Sequence, residues 1–284
     1  MAFKASKTRQ KKAREPLGVG KPLIPSAAIK AWYESEMNAM ARAMLDDYKA
    51  VLTKVIDSPN VQEYYAQDAS ANNAFKKALS ALEKKWYDAF NSFAAKASKQ
   101  FTKKVDEQAT SSTLFSLSTA GLKEPRATYS DSVKQTLQAA QEFNNTLITG
   151  IQQDVHEKIY TAVMLSLTSP NPEQQGSSGI VNALNDAGHF SKERTKLIAR
   201  DQTSKVYSAL SDDRMRENGC TKFKWMHSSA GKVPRESHVA KDGEIFELND
   251  PRLWEGPKAD QGPPGWAINC RCRKQPIFDF DFDS

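Results

Sequence analysis

Between Leu79 and Val105 the chain reads LSALEKKWYDAFNSFAAKASKQFTKKV, in which Leu79, Leu82, Trp86, Phe90, Phe93, Ala97, Phe101 and Val105 recur every three or four positions. That spacing puts them on one stripe of an α-helix, with lysines on the opposite face. A stripe lining a cofactor would share the period, but packing against other helices is the far commoner cause. Upstream, Ile29, Tyr33, Met37, Met40, Met44, Tyr48, Val51 and Val55 repeat the pattern, and Ser26 after Pro25 is the expected N-cap. Downstream of a Ser/Thr-rich stretch at 110–119 and a turn from Gly121 to Pro125, a third run starts near Ser130 with Val133, Leu137, Ala140, Leu147, Ile151, Val155 and Ile159. Continuous to Leu167 it would be about 55 Å long at 1.5 Å per residue, so the helical region is expected to be elongated. Gly150 is a candidate kink, and His156 in this run reads as an ordinary helical histidine. Gln174 to Gly179 reads as a flexible loop, and a shorter helix is expected from Ser191 to about Glu217, stopped by Gly219.

Proline placement agrees. None occurs from Asn60 to Glu124, Arg126 to Ser169 or Glu173 to Val233, whereas six of the thirteen fall between Pro234 and Pro276. Long helices therefore give way to a loop-rich end, in which Lys222 to Met226 and Glu244 to Leu248 read as short strands. The fold class is α+β: an elongated N-terminal region of long helices with a small loop-rich α+β C-terminal module.

With 284 residues the chain can bury a core without disulfide or metal staples. No apolar run approaches the roughly 18–20 residues of a bilayer span. Three cysteines, and a start without an apolar signal core, point to synthesis in a reducing compartment. The net charge of +6 lies entirely in residues 1–22, where Lys4, Lys7, Arg9, Lys11, Lys12, Arg14 and Lys21 face only Glu15. That arm is expected to be flexible and able to touch nucleic-acid phosphates, while the charge-balanced remainder has no overall pull on them. The ending Phe278-Asp-Phe-Asp-Phe-Asp283 alternates like a strand, but terminal position favours a frayed acidic and aromatic tail over 279–284.

All three cysteines and two of the four histidines lie in the last quarter: Cys220, His227, His238, Cys270 and Cys272. In an extended segment Cys-x-Cys puts both sulfurs on one side, where they can share an ion. Zinc takes four thiolate or imidazole ligands, so His238, Cys270 and Cys272 form the first choice, with Cys220 or His227 as the fourth. Buried free cysteines and a Cys270–Cys272 disulfide remain alternatives. Arg200 and Arg235 can grip a carboxylate through two nitrogens, with Asp242 as a candidate partner, and Arg271 alternates away from its flanking cysteines.

The same region carries Lys196-Leu-Ile-Ala-Arg-Asp-Gln202, Asn218-Gly-Cys-Thr-Lys-Phe-Lys-Trp225, Arg235-Glu-Ser-His238, Asp242-Gly-Glu-Ile-Phe246 and Pro263-Pro-Gly-Trp-Ala-Ile-Asn-Cys-Arg-Cys272. In this order they resemble the phage head morphogenesis family typified by protein F of phage Mu. The resemblance implies a module over 191–278, after helical regions at 23–122 and 123–190. It carries over Arg200, Arg235, His238, Asp242, Asn269, Cys270, Arg271 and Cys272 as family-motif positions. Asp201-Gln202 stands where the family has Thr-Glu, and Ser228 to Pro234 lacks the acidic residue usual there. The implied function is that of a minor head protein in a tailed-phage virion, made in the host cytoplasm. It would act in head morphogenesis near the portal and other head proteins, with a part in DNA packaging or ejection. The rival is a metal- or thiol-dependent hydrolase, but no His-Glu-x-x-His, Gly-x-Ser-x-Gly or phosphate-cradling loop is present. A host DNA-binding regulator is disfavoured because no helix-turn-helix or zinc-finger spacing is legible.

Overall fold

A computed structural model describes residues 18–58, 70–168, 171, 176–229 and 233–278. Four long helices, α1 (Ala27–Ile56), α2 (Ser70–Thr119), α3 (Asp131–Ser166) and α4 (Gly176–Glu217), precede a small C-terminal sheet. The fold is α+β, as expected. With 50 residues, α2 is about 75 Å long. Ser26 and Ser130 cap α1 and α3, their hydroxyls accepting from the backbone amides of Ile29 and Val133. Each satisfies an amide that the first helical turn leaves unpaired.

The stripes meet in one core. Tyr33, Met37, Met44, Tyr48 and Leu52 of α1 are buried with Phe75, Phe90 and Phe101 of α2 and Ile148, Ile151, Val155 and Ile159 of α3. Burying each such side chain contributes about 1.5–3 kcal/mol. Tyr33 stacks on Phe101 with ring centroids 4.1 Å apart and donates to Asn144 Oδ1 at 2.8 Å. His156 has a packing role, 2.7 Å from the Tyr48 hydroxyl.

The loop expected from Gln174 to Gly179 is corrected, and the segments before it are helical. The Ser/Thr-rich stretch 110–119 continues α2, because its hydroxyls bond back onto the helix: Ser112 to the Gln108 carbonyl at 2.7 Å and Thr119 to that of Phe115 at 2.9 Å. Ser112 also meets the Tyr207 hydroxyl on α4 at 2.7 Å, so tertiary contact holds a segment whose composition favours a turn. Gly150 lies within α3, which is helical on both sides of it. The loop expected up to Gly179 ends sooner, because α4 already begins at Gly176. Its early turns bury small residues, Gly179, Ala183 and Ala187, against the bundle, which favours close helix approach over glycine flexibility. The boundary read at 191 therefore falls inside one helix that the bundle and the C-terminal module share.

Four strands, β1 (Gly18–Val19), β2 (Lys222–Met226), β3 (Ile245–Glu247) and β4 (Arg273–Phe278), form an antiparallel sheet in the order β1-β4-β2-β3. The end of the basic arm is thus structured. Gly20 donates to the Pro276 carbonyl at 2.9 Å, and Leu23 to that of Lys274 at 2.8 Å. Lys4, Lys7, Arg9, Lys11, Lys12 and Arg14, and the tail 279–284, lie outside the described residues. Gly20 is required by space: a Cβ there would sit 2.8 Å from the Ser116 carbonyl oxygen on α2. Gly20→Ala is expected to cost about 1–3 kcal/mol through overpacking. Urea unfolding measures this, and an unchanged midpoint would mean that residues 18–23 do not dock on α2.

Candidate metal centre

The sheet and its crossover bring distant residues together. β2 ends at Met226 opposite Arg273, the first residue of β4, so Cys272 lies beside the end of β2. Between them, the short helix α5 (Glu236–Ala240) carries His238. The following loop returns over α4, where the Ser208 hydroxyl donates to the Pro264 carbonyl at 2.9 Å. Asn269 then turns the chain with φ 63°, a left-handed conformation that Asn tolerates better than most residues. Its amide donates to Asp201 Oδ1 at 3.1 Å, fixing the turn that presents Cys270.

His238, Cys270 and Cys272 converge and are 3%, 4% and 4% exposed. His238 Nε2 lies 2.9 Å from the Asp260 carbonyl, which can only accept, so Nε2 carries the proton and Nδ1 presents a lone pair. Nδ1 is 3.6 Å from Cys270 Sγ and 3.7 Å from Cys272 Sγ. A tetrahedral ion with bonds of about 2.0 Å to nitrogen and 2.3 Å to sulfur needs donors about 3.5 Å apart, so the donor set fits zinc. The Gly265 amide donates to Cys270 Sγ at 3.4 Å, and the Trp225 ring packs edge-on to His238 with centroids 5.2 Å apart.

Electrostatics ties the protonation of the three donors together. The Cys272 thiol, then His238 and the Gly265 amide, hold the Cys270 thiol well below its usual range in spite of burial. Cys272 is pushed up, first by that same contact and then by burial, so the pair keeps one proton. Burial opposes the His238 imidazolium, but the Cys270 sulfur and the Asp260 carbonyl outweigh it and leave the pKa raised. A bound cation would displace these protons, since thiolate and neutral imidazole are the ligating forms.

Other expected residues are distributed around this centre. None of the three cysteines forms a disulfide, and Cys220 is not near the triad. Its sulfur lies 3.4 Å from the Ile277 carbonyl at the far end of β4, roughly 16 Å of strand from Cys272. His227 shares a cavity wall with the triad, along with Arg200, Arg235, Asn269 and Arg271. Asp242 does not pair with either arginine. It accepts from the His227 amide at 2.7 Å and closes the turn at Gly243, whose φ is +81°. Arg235 instead binds Asp260 at 2.7 Å, and Arg200 Nε lies 3.9 Å from Asp201 Oδ1. Asp260 is the residue that sequence reasoning missed. It holds Arg235, accepts from the Ser237 hydroxyl at 2.7 Å and orients His238 through its carbonyl, yet it lies in a polar loop with no flanking pattern.

Similarity to known proteins adds to this geometry. The chain is 28% identical over 264 residues to an uncharacterized protein of Haemophilus influenzae, the match covering 91% of this chain and 55% of the relative. The chain thus spans about half the length of that curated relative. No solved structure matches it significantly. Residues 173–275 match the family described as Phage Mu protein F like protein. That stretch contains His238, Cys270 and Cys272, and in it the chain is similar to the Mu protein F family.

Proposed function

We propose that this protein is a minor head protein of a tailed bacteriophage, acting in head morphogenesis beside the portal, and that zinc held by His238, Cys270 and Cys272 locks its C-terminal knob. The carrying observation is the coincidence of the Mu protein F-like stretch with the knob built around this triad. Its role is construction: a long helical bundle presents the knob to neighbouring head proteins. No helix among the described residues is long and apolar enough to cross a membrane. The virion head is the proposed final location, after assembly in the host cytoplasm. Mass spectrometry of purified virions should detect the chain, and elemental analysis of the purified protein should give about one zinc per chain. Absence from virions would remove the head assignment, and absence of any metal would remove the zinc.

The basic arm supports a second contact, with packaged or ejecting DNA. A chain lacking residues 1–17, which retains the docked segment from Gly18, is expected to lose most nonspecific duplex binding and most of its salt dependence. An unchanged salt slope in filter binding would assign DNA contact elsewhere. The metal-dependent hydrolase is the alternative reading, favoured by one observation: three protein ligands leave a tetrahedral ion one position short. Turnover of a nucleic acid or peptide, abolished by His238→Ala in a folded chain, would establish it.

A further inference from the structure

We propose that the exposed lysine face of α2 is a second binding surface for double-stranded DNA, holding phosphates without reading sequence. It deepens the DNA-contact reading given to the basic arm and rests on that reading only for the identity of the ligand.

The charge balance beyond residue 22 hides a segregation. Between Phe75 and Lys104 eight lysines stand against two acids, Glu83 and Asp88. At about 100° per residue, Lys77, Lys84, Lys85, Lys96, Lys99 and Lys103 fall within about 120° of one another around the helix. All six are exposed. The other side of α2 carries Phe75, Leu79, Trp86 and Phe90 into the core. Little of this charge is neutralised. Lys85 pairs with Asp47 at 2.7 Å and Lys103 lies 3.9 Å from Glu107, whereas Lys77, Lys84, Lys96 and Lys99 have no ion pair among the described residues. Glu83 turns toward α3, where its carboxylate lies 3.6 Å from His156 Nε2. Asp88 is then the one acid of α2 inside the lysine sector.

The spacing suits a duplex. Lys77 and Lys103 are about 39 Å apart along the axis, close to one DNA turn of about 34–36 Å. Lys84 and Lys96 are separated by about 18 Å, and the surface between them carries the exposed Asn91, Ser92 and Ala95. Short side chains let the helix approach. Lysines on flexible stems at either end can then meet the two phosphate backbones that flank a groove about 12 Å wide. An acidic protein is the weaker match. Protein interfaces draw their affinity from buried aromatic and apolar anchors and are depleted in lysine. The large apolar side chains exposed on α2, Tyr87 and Phe115, lie outside the sector.

The test is filter binding of a short mixed-sequence duplex to the full chain across a salt series. Combined Lys84→Gln, Lys96→Gln and Lys99→Gln should flatten the slope of log affinity against log salt by about 2.7, since each lost phosphate contact is worth about 0.9. Combined Lys49→Gln, Lys192→Gln and Lys258→Gln removes the same charge from exposed sites elsewhere and should leave the slope unchanged. Urea midpoints equal to that of the parent chain confirm that both variants fold. Equal slopes for the two variants would overturn the proposal, because net charge and not the α2 face would then set binding. A chain lacking residues 1–17 that binds duplex without any salt dependence, or not at all, would overturn it too and leave the arm as the whole contact. The same truncated chain with an undiminished slope that the α2 substitutions abolish would support the lysine face and remove the arm reading. Displacement by poly-glutamate at lower charge concentration than by unlabelled duplex would overturn the proposal in favour of an acidic protein.

Discussion

Replacing Lys274 by methionine is expected to lower the unfolding free energy by about 3–5 kcal/mol, the cost of leaving an unpaired charge in the interior. Lys274 projects from β4 and Asp212 from α4, and their ion pair docks the sheet on the helix bundle. The two residues are only 3% and 7% exposed. Burial acts on both, pushing Asp212 up and Lys274 down, with the partner's charge opposing in each case. Without the lysine, Asp212 loses that opposition and still feels Asp213 beside it. A carboxyl whose folded pKa is raised contributes its full stability below the unfolded pKa and loses it as pH rises through the folded value. The deficit of the variant should therefore be largest at neutral pH and shrink on acidification. Removing both charges, in Lys274→Met with Asp212→Leu, should recover most of the loss, because neither is then stranded. Urea unfolding of both variants checks this. A single substitution costing under about 1 kcal/mol would show the pair to be solvated, as exposed pairs are.

Much of the bundle is legible in sequence because helical period and capping are local. Tyr33, Met37, Phe90, Phe101 and Ile151 declare their burial by spacing alone, and Ser26 and Ser130 declare the helix starts. What sequence reading misses depends on residues far along the chain. The hydroxyl-rich end of α2 stays helical partly because Tyr207, 95 positions away, accepts or donates a bond to Ser112. β1 consists of two residues whose pairing with β4 spans almost the entire chain. Around the centre, the Cys-x-Cys spacing and a nearby histidine reveal three donors, because extended backbone aligns alternate side chains. Cys220 carries the same chemistry but sits at the opposite end of β4, as a small buried side chain can without any metal. Asp242 and Asp260 are indistinguishable as partners for Arg235 until the return loop is folded, and it is the more distant one that pairs.

If the proposed zinc is bound, stripping it from the full chain is expected to produce the largest change available without mutation. A ligand that binds only the folded state at 1,000 times its dissociation constant adds about 4.1 kcal/mol. With zinc at the proposed site that increment would belong to a loop-rich segment, residues 251–272, containing only two short 3-10 turns, Pro251–Trp254 and Lys258–Asp260. Such a segment gains most from a cross-link, whereas the bundle, with its own core, should be nearly indifferent. Hydrogen exchange is therefore the appropriate measurement. Chelation should raise exchange in residues 251–272 and at the start of β4, with little change in α1 and α3. The zinc-dependent protection should vanish in His238→Ala, Cys270→Ser and Cys272→Ser and survive in Cys220→Ser. It should also fade as pH falls, since protons compete for imidazole and thiolate. Cys220→Ser is the decisive control, because it removes an equally buried thiol beside the opposite end of β4. If it abolished the zinc effect as the triad substitutions do, the ion would be bound by exposed thiols of a partly unfolded chain, and the knob would be held together by packing alone.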